Sequence, residues 1–320
     1  MHNQNYYQEL HTAIQKLVTN DYVFLDLPYY SNVGDMLIWE ATLQILKKVK
    51  QRCLYSCSVE TYRKPKIGKD VILLFSGGGN FGDLWPGHQE LRHRILNDYP
   101  NNDILQLPQS VWFDNDENLR KDVEAFSMHR GKITICLRDQ QSFDIVKDNY
   151  SDNVNPLLLP DMALSFNIKK YCRYHRIKLQ SGDGTLLVKR KDKEDAAQFP
   201  TCHYDHKGDW PCMETAIRQE QWYNNIIHSL RKRDVSAKKQ DKFTDWYYRN
   251  ILMDAYIQTG IRFINPYRHV VTDRLHAGIL AWLMGKDVTL VDNSYGKISS
   301  LYNTWLKNCD SITIYGQGVS

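Results

Sequence analysis

The chain has 320 residues, of which 42% are hydrophobic and 24% charged, with a formal net charge of +4. This composition is ordinary for a globular protein and argues against an intrinsically disordered chain. No apolar run of about 18 residues occurs, which excludes a typical transmembrane helix. The mild positive charge lacks the strongly basic character of nucleic-acid-binding domains, so we expect no nucleic-acid partner.

Seven cysteines at irregular spacings indicate reduced thiols rather than a disulfide framework. The N-terminal residues are polar and lack the apolar core of a signal peptide, so we expect a cytoplasmic protein. One segment, "TCHYDHKGDWPC", holds the zinc-ligand types Cys202, His203, His206 and Cys212. Its spacing matches no standard zinc motif and its Gly and Pro residues are typical of a loop, so we predict no metal site.

In the first half of the chain, apolar strands alternate with helical patterns. A helix is predicted over residues 6–19, and another begins at Gly34 and Asp35. The segment 70–85 is a continuous apolar strand that runs into four glycines, which is typical of a strand buried on both faces of a parallel sheet. Strands are predicted in the segments 22–28, 53–58, 70–85, 103–113, 133–148 and 156–166.

The second half begins with a basic, Gly-containing segment, residues 167–183, which we interpret as a hinge. A strand at 185–194 follows, then helical segments near 212–230 and 241–258. The strand 269–272 leads into an apolar helix, and a further strand and helix complete the pattern. Alternating strands and helices predict an α/β fold with right-handed parallel connections. The length favours two domains, 1–170 and 171–320.

Polar residues follow the apolar strands at most of the predicted strand ends. Ligands of open parallel sheets bind beyond the carboxyl ends of the strands, so we expect these residues to face one cleft between two domains. We assign catalysis to Asp273, Arg274 and His276. Substrate binding is assigned to the remaining residues of the set, Asp35, Gly78, Gly79, Asn80, Arg138, Ser294 and Lys297.

Three cations and one imidazole determine the predicted chemistry. Arg138, Arg274 and Lys297 together suit a substrate with several negative charges, because arginine offers a bidentate fork and lysine a point charge. A lone arginine at a strand end more commonly pairs with a neighbouring acid. Histidine is the residue type that most commonly transfers protons near neutral pH, so His276 is the natural proton donor or acceptor of the set. The glycine run can present backbone N–H groups to an anion, but it matches no nucleotide-binding motif.

Seven short motifs follow one another along the chain: "NVGDMLIWEA", "FSGGGNFGDLW", "LPQS", "LRDQQS", "LPDMA", "TDRLHAGILAWLMG" and "DNSYGK". In this order and spacing they resemble the polysaccharide pyruvyl transferase family. The resemblance covers roughly residues 22–305 and is greatest to bacterial members that act in exopolysaccharide or capsule synthesis.

The resemblance implies two Rossmann-like domains that face each other across a cleft, as in GT-B glycosyltransferases. It implies phosphoenolpyruvate as donor substrate, no further cofactor, and transfer to two hydroxyls of a sugar as a pyruvate ketal. Arg138, Arg274, His276 and Lys297 match positions that the family uses for donor binding and catalysis. By the same analogy, the acceptor sugar is linked to undecaprenyl diphosphate, and basic and aromatic residues touch the inner face of the membrane. The segment 195–240 matches nothing in the family pattern.

Two other functions fit parts of the pattern. A GT-B glycosyltransferase that uses a nucleotide sugar would share the architecture and the glycine-rich segment. A non-catalytic scaffold of polysaccharide synthesis would share the fold, although the intact Arg138, Arg274, His276 and Lys297 argue against it.

Overall fold

The computed structural model describes residues 2–192, 198–292 and 296–316. The chain divides into two compact units. Unit 1 consists of Met1–Pro28 and Ala41–Ser165, and unit 2 of Tyr29–Glu40 and Phe166–Ser320. Each unit contains one β-sheet, and every strand pair in the described residues is parallel. The predicted α/β class with two Rossmann-like sheets is therefore confirmed.

The sheet of unit 1 has seven strands in the order β2-β1-β3-β5-β6-β7, with β4 paired to β5. Because β2 and β3 lie on opposite sides of β1, the strand order reverses at the boundary between β1 and β3. Its strands are β1 (Tyr22–Leu25), β2 (Cys53–Ser56), β3 (Ile72–Phe75), β4 (Gly78–Gly82), β5 (Ile104–Trp112), β6 (Ile133–Leu137) and β7 (Val154–Leu158).

The central strands of unit 1 are buried along their whole length, as β1, β3 and β6 show. This continuous burial explains their unbroken apolar sequences, because helices cover both faces of a parallel sheet. The helices are α1 (His2–Leu17), α2 (Val33–Leu46), α3 (Pro86–Asp98), α4 (Asp116–Ser127) and α5 (Gln140–Asn149), and a 3₁₀ turn lies at Met162–Ser165. The first part of α2 belongs to unit 2.

The sheet of unit 2 has five strands in the order β9-β8-β10-β11-β12. Its strand order reverses between β8 and β10, the arrangement in which open α/β sheets bind ligands outside the carboxyl ends of the two central strands. The strands are β8 (Thr185–Val188), β9 (His206–Gly208), β10 (His269–Thr272), β11 (Asp287–Leu290) and β12 (Ile312–Ile314).

The helices of unit 2 surround this sheet and include a helical hairpin. They are α6 (Ile168–Tyr174), α7 (Pro211–Glu214), α8 (Arg218–Lys232), α9 (Ala237–Tyr247), α10 (Met253–Ile264), α11 (Leu275–Leu283) and α12 (Lys297–Leu301). π-Helical turns occupy Tyr248–Leu252 and Tyr302–Leu306. The buried Lys286 donates to the carbonyls of Gln180, Ser181 and Asn265 at 2.8, 3.1 and 2.9 Å, so it fastens part of the predicted hinge segment to the end of α10.

Several details differ from the sequence predictions. The segment 70–85 was predicted as one strand that runs into the glycines, but it forms two strands, β3 and β4, and β4 (Gly78–Gly82) pairs with β5. A Cβ at Gly82, whose φ is +117°, would stand 1.8 Å from the carbonyl oxygen of Trp112, so close strand approach requires glycine there. The segment Tyr29–Glu40 was placed in the first domain, whereas the structure groups it with unit 2. The domain boundary at residue 170 and the cleft stay predictions.

Candidate active site

Asp273 follows β10 at the point where the strand order of unit 2 reverses. Its side chain is fully buried, and its Oδ1 accepts a hydrogen bond of 2.8 Å from the backbone N–H of Arg190, which follows β8. The carboxylate therefore joins the carboxyl ends of the two central strands. This geometry supports a positioning role for Asp273, and a direct catalytic role stays a prediction.

Arg274 is 4% exposed and forms a bidentate ion pair with Asp209. Its Nε binds Oδ1 and its Nη2 binds Oδ2 at 2.6 Å, while Asp192 Oδ2 lies 3.5 Å from the same Nη2. Paired N–H donors fix both the position and the plane of a guanidinium. The charge of Arg274 is therefore already matched by an acid, which the sequence prediction of a clamp for a polyanion did not include.

The remaining nitrogen of Arg274, Nη1, makes no hydrogen bond to any residue that the structure describes. Asp192 also binds the guanidinium of Arg190 through both of its oxygens, at 2.8 and 3.0 Å. Two arginines and two aspartates thus form one cluster beyond β8 and β10. In this cluster Nη1 is the donor that a ligand anion can use without displacing an internal partner.

Asp192, Asp209 and Arg190 were absent from the residues predicted for the site. Asp209 lies within the segment 195–240 that the family pattern did not explain. The available signal was chemical: a buried arginine requires an acidic partner, and "GDWP" offers an acid next to a tryptophan and a proline. The choice among the acids depends on long-range contacts that the sequence does not show.

His276 is the second residue of α11 and is partly exposed. Its side chain lies against the backbone of Gly34: a Cβ at Gly34 would stand 2.7 Å from the His276 Cβ and 2.8 Å from its Nδ1. Such distances are shorter than van der Waals contact, so only glycine leaves room for the imidazole there. The structure thus brings together two motifs that are far apart in sequence.

The motif "NVGD" forms the first turn of α2. Asn32 Oδ1 accepts from the N–H of Gly34 at 2.9 Å, and Asn32 Nδ2 donates to Asp35 Oδ2 at 2.7 Å. The hydroxyl of Tyr30 donates to the same oxygen at 3.0 Å. The carboxylate of Asp35 therefore holds the loop that supports His276, and its predicted contact with substrate stays a prediction.

Lys297 is the first residue of α12, directly after Gly296, which adopts a φ of 77°. Asp292 Oδ1 accepts from the N–H groups of Ile298 and Ser299, each at 3.1 Å, and so fixes the start of this helix. Ser294, which was predicted to bind substrate, lies outside the described residues. Lys297 belongs to unit 2, as do Arg274 and His276.

Arg138 belongs to unit 1 and is 1% exposed. Its Nη1 donates to Asp161 at 2.5 Å and its Nε donates to Ser110 Oγ at 2.9 Å. Ser110 in turn donates to Asp139, which caps α5 by accepting from the N–H of Ser142 at 2.9 Å. Arg138 is therefore part of a buried network beyond β5 and β6, and its role in donor binding stays a prediction.

Asn80 lies in a second polar network of unit 1, where the strand order reverses between β1 and β3. The buried Asp26, whose φ is 62°, receives hydrogen bonds from Asn80 Nδ2 at 3.1 Å and Arg92 Nη2 at 3.1 Å. His88 Nδ1 lies 2.6 Å from the other oxygen of Asp26. Arg92 Nη2 and Gln109 Nε2 both bind Asn80 Oδ1 at 2.7 Å.

This second network contains residues that the sequence analysis did not select. Asp26 follows β1, and His88 and Arg92 are spaced at i and i+4 on α3, so both patterns were visible in the sequence. The predicted site residues Gly78 and Gly79 belong to β4 beside this network. Asn80 is therefore hydrogen-bonded to other side chains of the protein, and its contact with a substrate stays a prediction.

The cysteine and histidine segment provides no metal centre within the described residues. No group of three or more His, Cys, Asp or Glu side chains is placed to hold an ion there. Cys202 is exposed and Cys212 is buried, and burial raises the pKa of the Cys212 thiol to about 12. Cys212 therefore remains a neutral thiol at physiological pH. No disulfide joins any of the seven cysteines, all of which lie in described residues.

The sequence matches a known protein family. The sequence profile of the family described as "Polysaccharide pyruvyl transferase" matches residues 32–295. The chain is 29% identical over 302 residues to the Bacillus subtilis (strain 168) protein named "Putative pyruvyl transferase EpsO", covering 91% of this chain and 87% of that protein. It is 29% identical over 314 residues to "Pyruvyl transferase 1" of Schizosaccharomyces pombe, covering 95% and 73%.

A solved structure has the same fold. It is described as a functional uncharacterized protein, KP1_0663, from Klebsiella pneumoniae, and it aligns with a TM-score of 0.64 at 20% identity over 97% of this chain and 98% of its own. No helix among the described residues has the length and apolarity needed to cross a bilayer. With the profile matched over most of its length, the chain belongs to the polysaccharide pyruvyl transferase family.

Proposed function

We propose that the protein transfers a pyruvyl group from phosphoenolpyruvate to two hydroxyls of one sugar and forms a pyruvate ketal. The observation that carries the proposal is the arrangement of His276 and Arg274. The imidazole of His276, at the start of α11, lies against Gly34 of α2. Asp209 holds the neighbouring guanidinium of Arg274, whose Nη1 makes no hydrogen bond to a described residue. A proton carrier and an anion donor thus occupy adjacent positions where the strand order of the sheet reverses.

Phosphoenolpyruvate carries a carboxylate and a phosphate, and both can accept hydrogen bonds from guanidinium and ammonium groups. In the proposed reaction, a proton is added to the methylene carbon, and the adjacent carbon becomes oxocarbenium-like. One sugar hydroxyl attacks this carbon and phosphate departs with the C–O bonding electrons. The second hydroxyl then closes the ketal, and the two hydroxyl protons balance the proton gained by carbon and the proton taken by phosphate.

His276 is the proposed acid and base for these proton transfers. Arg274 Nη1 and Lys297 are proposed to bind the donor, and their charges would stabilise the departing phosphate. Asp273 and Asp209 would act as positioning residues, because each binds a neighbouring protein group. Arg138 is proposed to contribute to the donor site from the buried ion pair with Asp161.

The acceptor is proposed to be a sugar of an exopolysaccharide or capsule precursor linked to undecaprenyl diphosphate. Phosphoenolpyruvate is a cytoplasmic metabolite, so we expect the reaction in the cytoplasm. A lipid-linked acceptor would bring the reaction to the inner face of the membrane. The family assignment supports a polysaccharide-directed pyruvyl transferase.

The first experiment compares ligands by thermal shift. We expect phosphoenolpyruvate to raise the melting temperature of the protein and a panel of nucleotide sugars to leave it unchanged, since a ligand that binds only the folded state stabilises that state. Incubation of phosphoenolpyruvate with candidate lipid-linked sugars should then release phosphate and increase the sugar mass by pyruvate less one water. Stabilisation by nucleotide sugars alone would support the glycosyltransferase alternative instead.

The second experiment tests the proton carrier. His276→Gln keeps a hydrogen-bonding side chain of similar size but cannot transfer protons, and loss of a general acid or base costs on the order of 100- to 10,000-fold in rate. We expect kcat to fall by that factor while phosphoenolpyruvate still raises the melting temperature. The exposed His228→Gln in α8 serves as the matched control and should keep wild-type kcat. A wild-type rate for His276→Gln would contradict the assignment.

A further inference from the structure

The helices α8 and α9 form a hairpin that carries two exposed tryptophans. Trp222 is 55% exposed and Trp246 is 52% exposed, and Ile226, one turn after Trp222, is exposed as well. The inner side of the hairpin is already filled, because Tyr223 stacks on Phe243 with ring centroids 6.3 Å apart and contacts Tyr247 at 5.5 Å. Trp222 lies outside this aromatic contact. Trp246 lies at its edge, with ring centroids 6.3 Å from Phe243 and 6.2 Å from Tyr247, and about half of its surface stays exposed.

The same hairpin is strongly cationic on its outside. Residues 218–249 include eight basic and four acidic residues, and all eight basic side chains are exposed. Three of the acids are turned inward or half-buried: Glu220 accepts from Ser31, Asp245 accepts from Tyr29, and Asp241 is half-buried. The basic residues are Arg218, Arg231, Lys232, Arg233, Lys238, Lys239, Lys242 and Arg249.

The exposed cations have no internal counter-charge. Among the residues that the structure describes, no acidic side chain forms an ion pair with any of these eight. Asp234, between α8 and α9, is the one exposed acid in the described segment 218–249. The outer surface thus carries a net positive charge that only an external anionic partner can neutralise.

On each helix, a cation lies on the same face as the tryptophan. Arg218, Trp222 and Ile226 follow at spacings of four on α8, so they lie on one face, and the Arg218 guanidinium stacks over the Trp222 ring at 5.0 Å. On α9, Lys239, Lys242 and Trp246 follow at spacings of three and four. Each tryptophan therefore has a cation about one turn away on the same helix face.

We propose that this hairpin surface binds the headgroup region of an anionic lipid bilayer. Tryptophan prefers the boundary between headgroups and acyl chains, because the ring is apolar and its N–H is polar. Long basic side chains reach anionic headgroups while their apolar stems lie against the surface. The eight exposed cations without an internal counter-charge are complementary to a surface of anionic headgroups, and this favours a lipid bilayer as the partner.

Membrane binding by the surface of α8 and α9 does not depend on the proposed reaction, and vesicle binding can be measured without pyruvyl transfer. It also explains the segment that the family motifs leave without a function, since most of the hairpin lies within or just beyond residues 195–240. A protein with this surface would remain at the membrane without a transmembrane helix.

The test is cosedimentation of the full chain with vesicles. We expect binding to phosphatidylcholine vesicles that contain about one quarter phosphatidylglycerol, and little binding to phosphatidylcholine alone, with affinity falling as salt increases. The triple variant Arg231→Gln, Lys232→Gln, Arg233→Gln should lower the partition coefficient on the order of 100-fold. Replacing Trp222 and Trp246 by Ala should lower it roughly tenfold or more.

Two matched controls separate the hairpin from general charge and aromatic content. Lys47→Gln, Lys48→Gln, Lys50→Gln removes three exposed cations of unit 1, and Tyr174→Ala removes an exposed aromatic side chain of α6. Both controls should bind vesicles as wild type does. Because Arg231, Lys232 and Arg233 are exposed, their triple variant should keep the wild-type melting temperature. A melting curve shows that the tryptophan variant, which loses the contacts of Trp246 with Phe243 and Tyr247, is folded in the vesicle assay.

A readout without mutation is quenching of tryptophan fluorescence by brominated lipids, which requires an indole at the bilayer surface. Quenching by anionic brominated vesicles supports the proposal. No cosedimentation of wild type with anionic vesicles would overturn it. So would equal loss of binding in the hairpin and control triple variants, or equal binding to neutral vesicles. Unchanged binding in either hairpin variant also contradicts the proposed surface.

Discussion

The imidazole of His276 rests on the backbone of Gly34, with no room for a β-carbon between them. Val33, the preceding residue, is equally confined, because a Cβ at Gly260 of α10 would stand 2.5 Å from Val33 Cγ1. The first turn of α2 is therefore packed against both α10 and α11. This packing explains why a segment from the first part of the chain belongs to unit 2, and it makes Gly34 a positioning residue for the proposed proton carrier.

Gly34→Ala should reduce kcat on the order of 100-fold, the loss expected when a catalytic group is displaced by about 1 Å. Because the added methyl group would overlap the imidazole, the free energy of unfolding should also fall. Helix propensity alone would raise it, since alanine in a helix is normally more stable than glycine by about 0.5–1 kcal/mol. Steady-state kinetics and a urea melt measure the two effects.

The matched control for Gly34→Ala is Gly87→Ala in the first turn of α3, where nothing lies within 4 Å of an added Cβ. This control should retain wild-type kcat and gain stability. If Gly34→Ala keeps both the wild-type rate and the wild-type stability, the contact does not position His276.

Asp209→Asn should weaken donor binding by releasing Arg274. The substitution removes the charge that holds the guanidinium but keeps the side-chain shape. Removing one partner of a buried ion pair lowers the free energy of unfolding by about 3–5 kcal/mol. Asp192 lies near Arg274 and can still pair with it, so we expect a loss at the low end of this range. We expect the KM for phosphoenolpyruvate to rise by more than kcat falls.

Glu117→Gln provides the comparison for Asp209→Asn, because Glu117 pairs with Lys121 on the exposed side of α4. Exposed ion pairs contribute little to stability, so this variant should be close to wild type in stability and in KM. Equal effects of the two substitutions would show that the Asp209–Arg274 pair has no special role.

Much of the fold follows from the period of apolar residues. Continuous apolar runs such as residues 71–75 and 133–137 predicted buried parallel strands, and the alternation with helices predicted the α/β class. The helices α3 and α4 were missed because their sequences are mainly polar: α3 is "PGHQELRHRILND" and α4 is "DENLRKDVEAFS". Their positions depend on packing against the sheet.

The candidate site was predictable only in part. The residues of "TDRLH" are consecutive, so their common position at the end of β10 could be inferred from the sequence. The partners Asp209 and Asp192 come from segments 65 and 82 residues away, and no local pattern specifies such pairs. Gly34 was noted as the start of a helix, but its contact with His276 requires the fold.

Lys297→Ala should raise the KM for phosphoenolpyruvate by roughly 10- to 100-fold, the range expected for loss of a hydrogen bond to a charged group. Lys297 opens α12, whose first N–H groups are held by Asp292, so the helix should persist in the variant. Lys307→Ala, an exposed lysine after the same helix, is the control and should keep the wild-type KM. An unchanged KM in Lys297→Ala would remove Lys297 from the donor site.

Arg138→Ala should destabilise the fold by about 3–5 kcal/mol, because it leaves the fully buried Asp161 without its ion-pair partner. A chemical denaturation curve measures this loss. The double variant Arg138→Met, Asp161→Asn removes both charges and should recover much of the stability. A loss below about 1 kcal/mol in Arg138→Ala would show that water or another group replaces the arginine.

His129 should make stability fall as the pH drops below neutrality. The side chain is buried and its Nε2 lies 2.7 Å from the carbonyl oxygen of Asn102. Burial lowers the pKa of His129, although the Asn102 carbonyl and Asp103 oppose the shift. The unfolded chain, with an ordinary histidine pKa of about 6.5, therefore binds a proton more readily than the folded chain does. This contribution to stability is fully present above about pH 6.5 and is lost as the pH falls toward the lowered pKa of the folded state.

His129→Gln can retain the hydrogen bond to Asn102 but cannot titrate. Urea melts at about pH 7.5, 6.5 and 5.5 should show a smaller loss of unfolding free energy in this variant than in wild type. Burial also lowers the pKa of His269, so part of the wild-type pH dependence should remain until both residues are replaced. The exposed His228→Gln should follow the wild-type curve. If His129→Gln and wild type lose stability in parallel, then His129 is protonated equally in the folded and unfolded chains, and the acid sensitivity has to come from other groups.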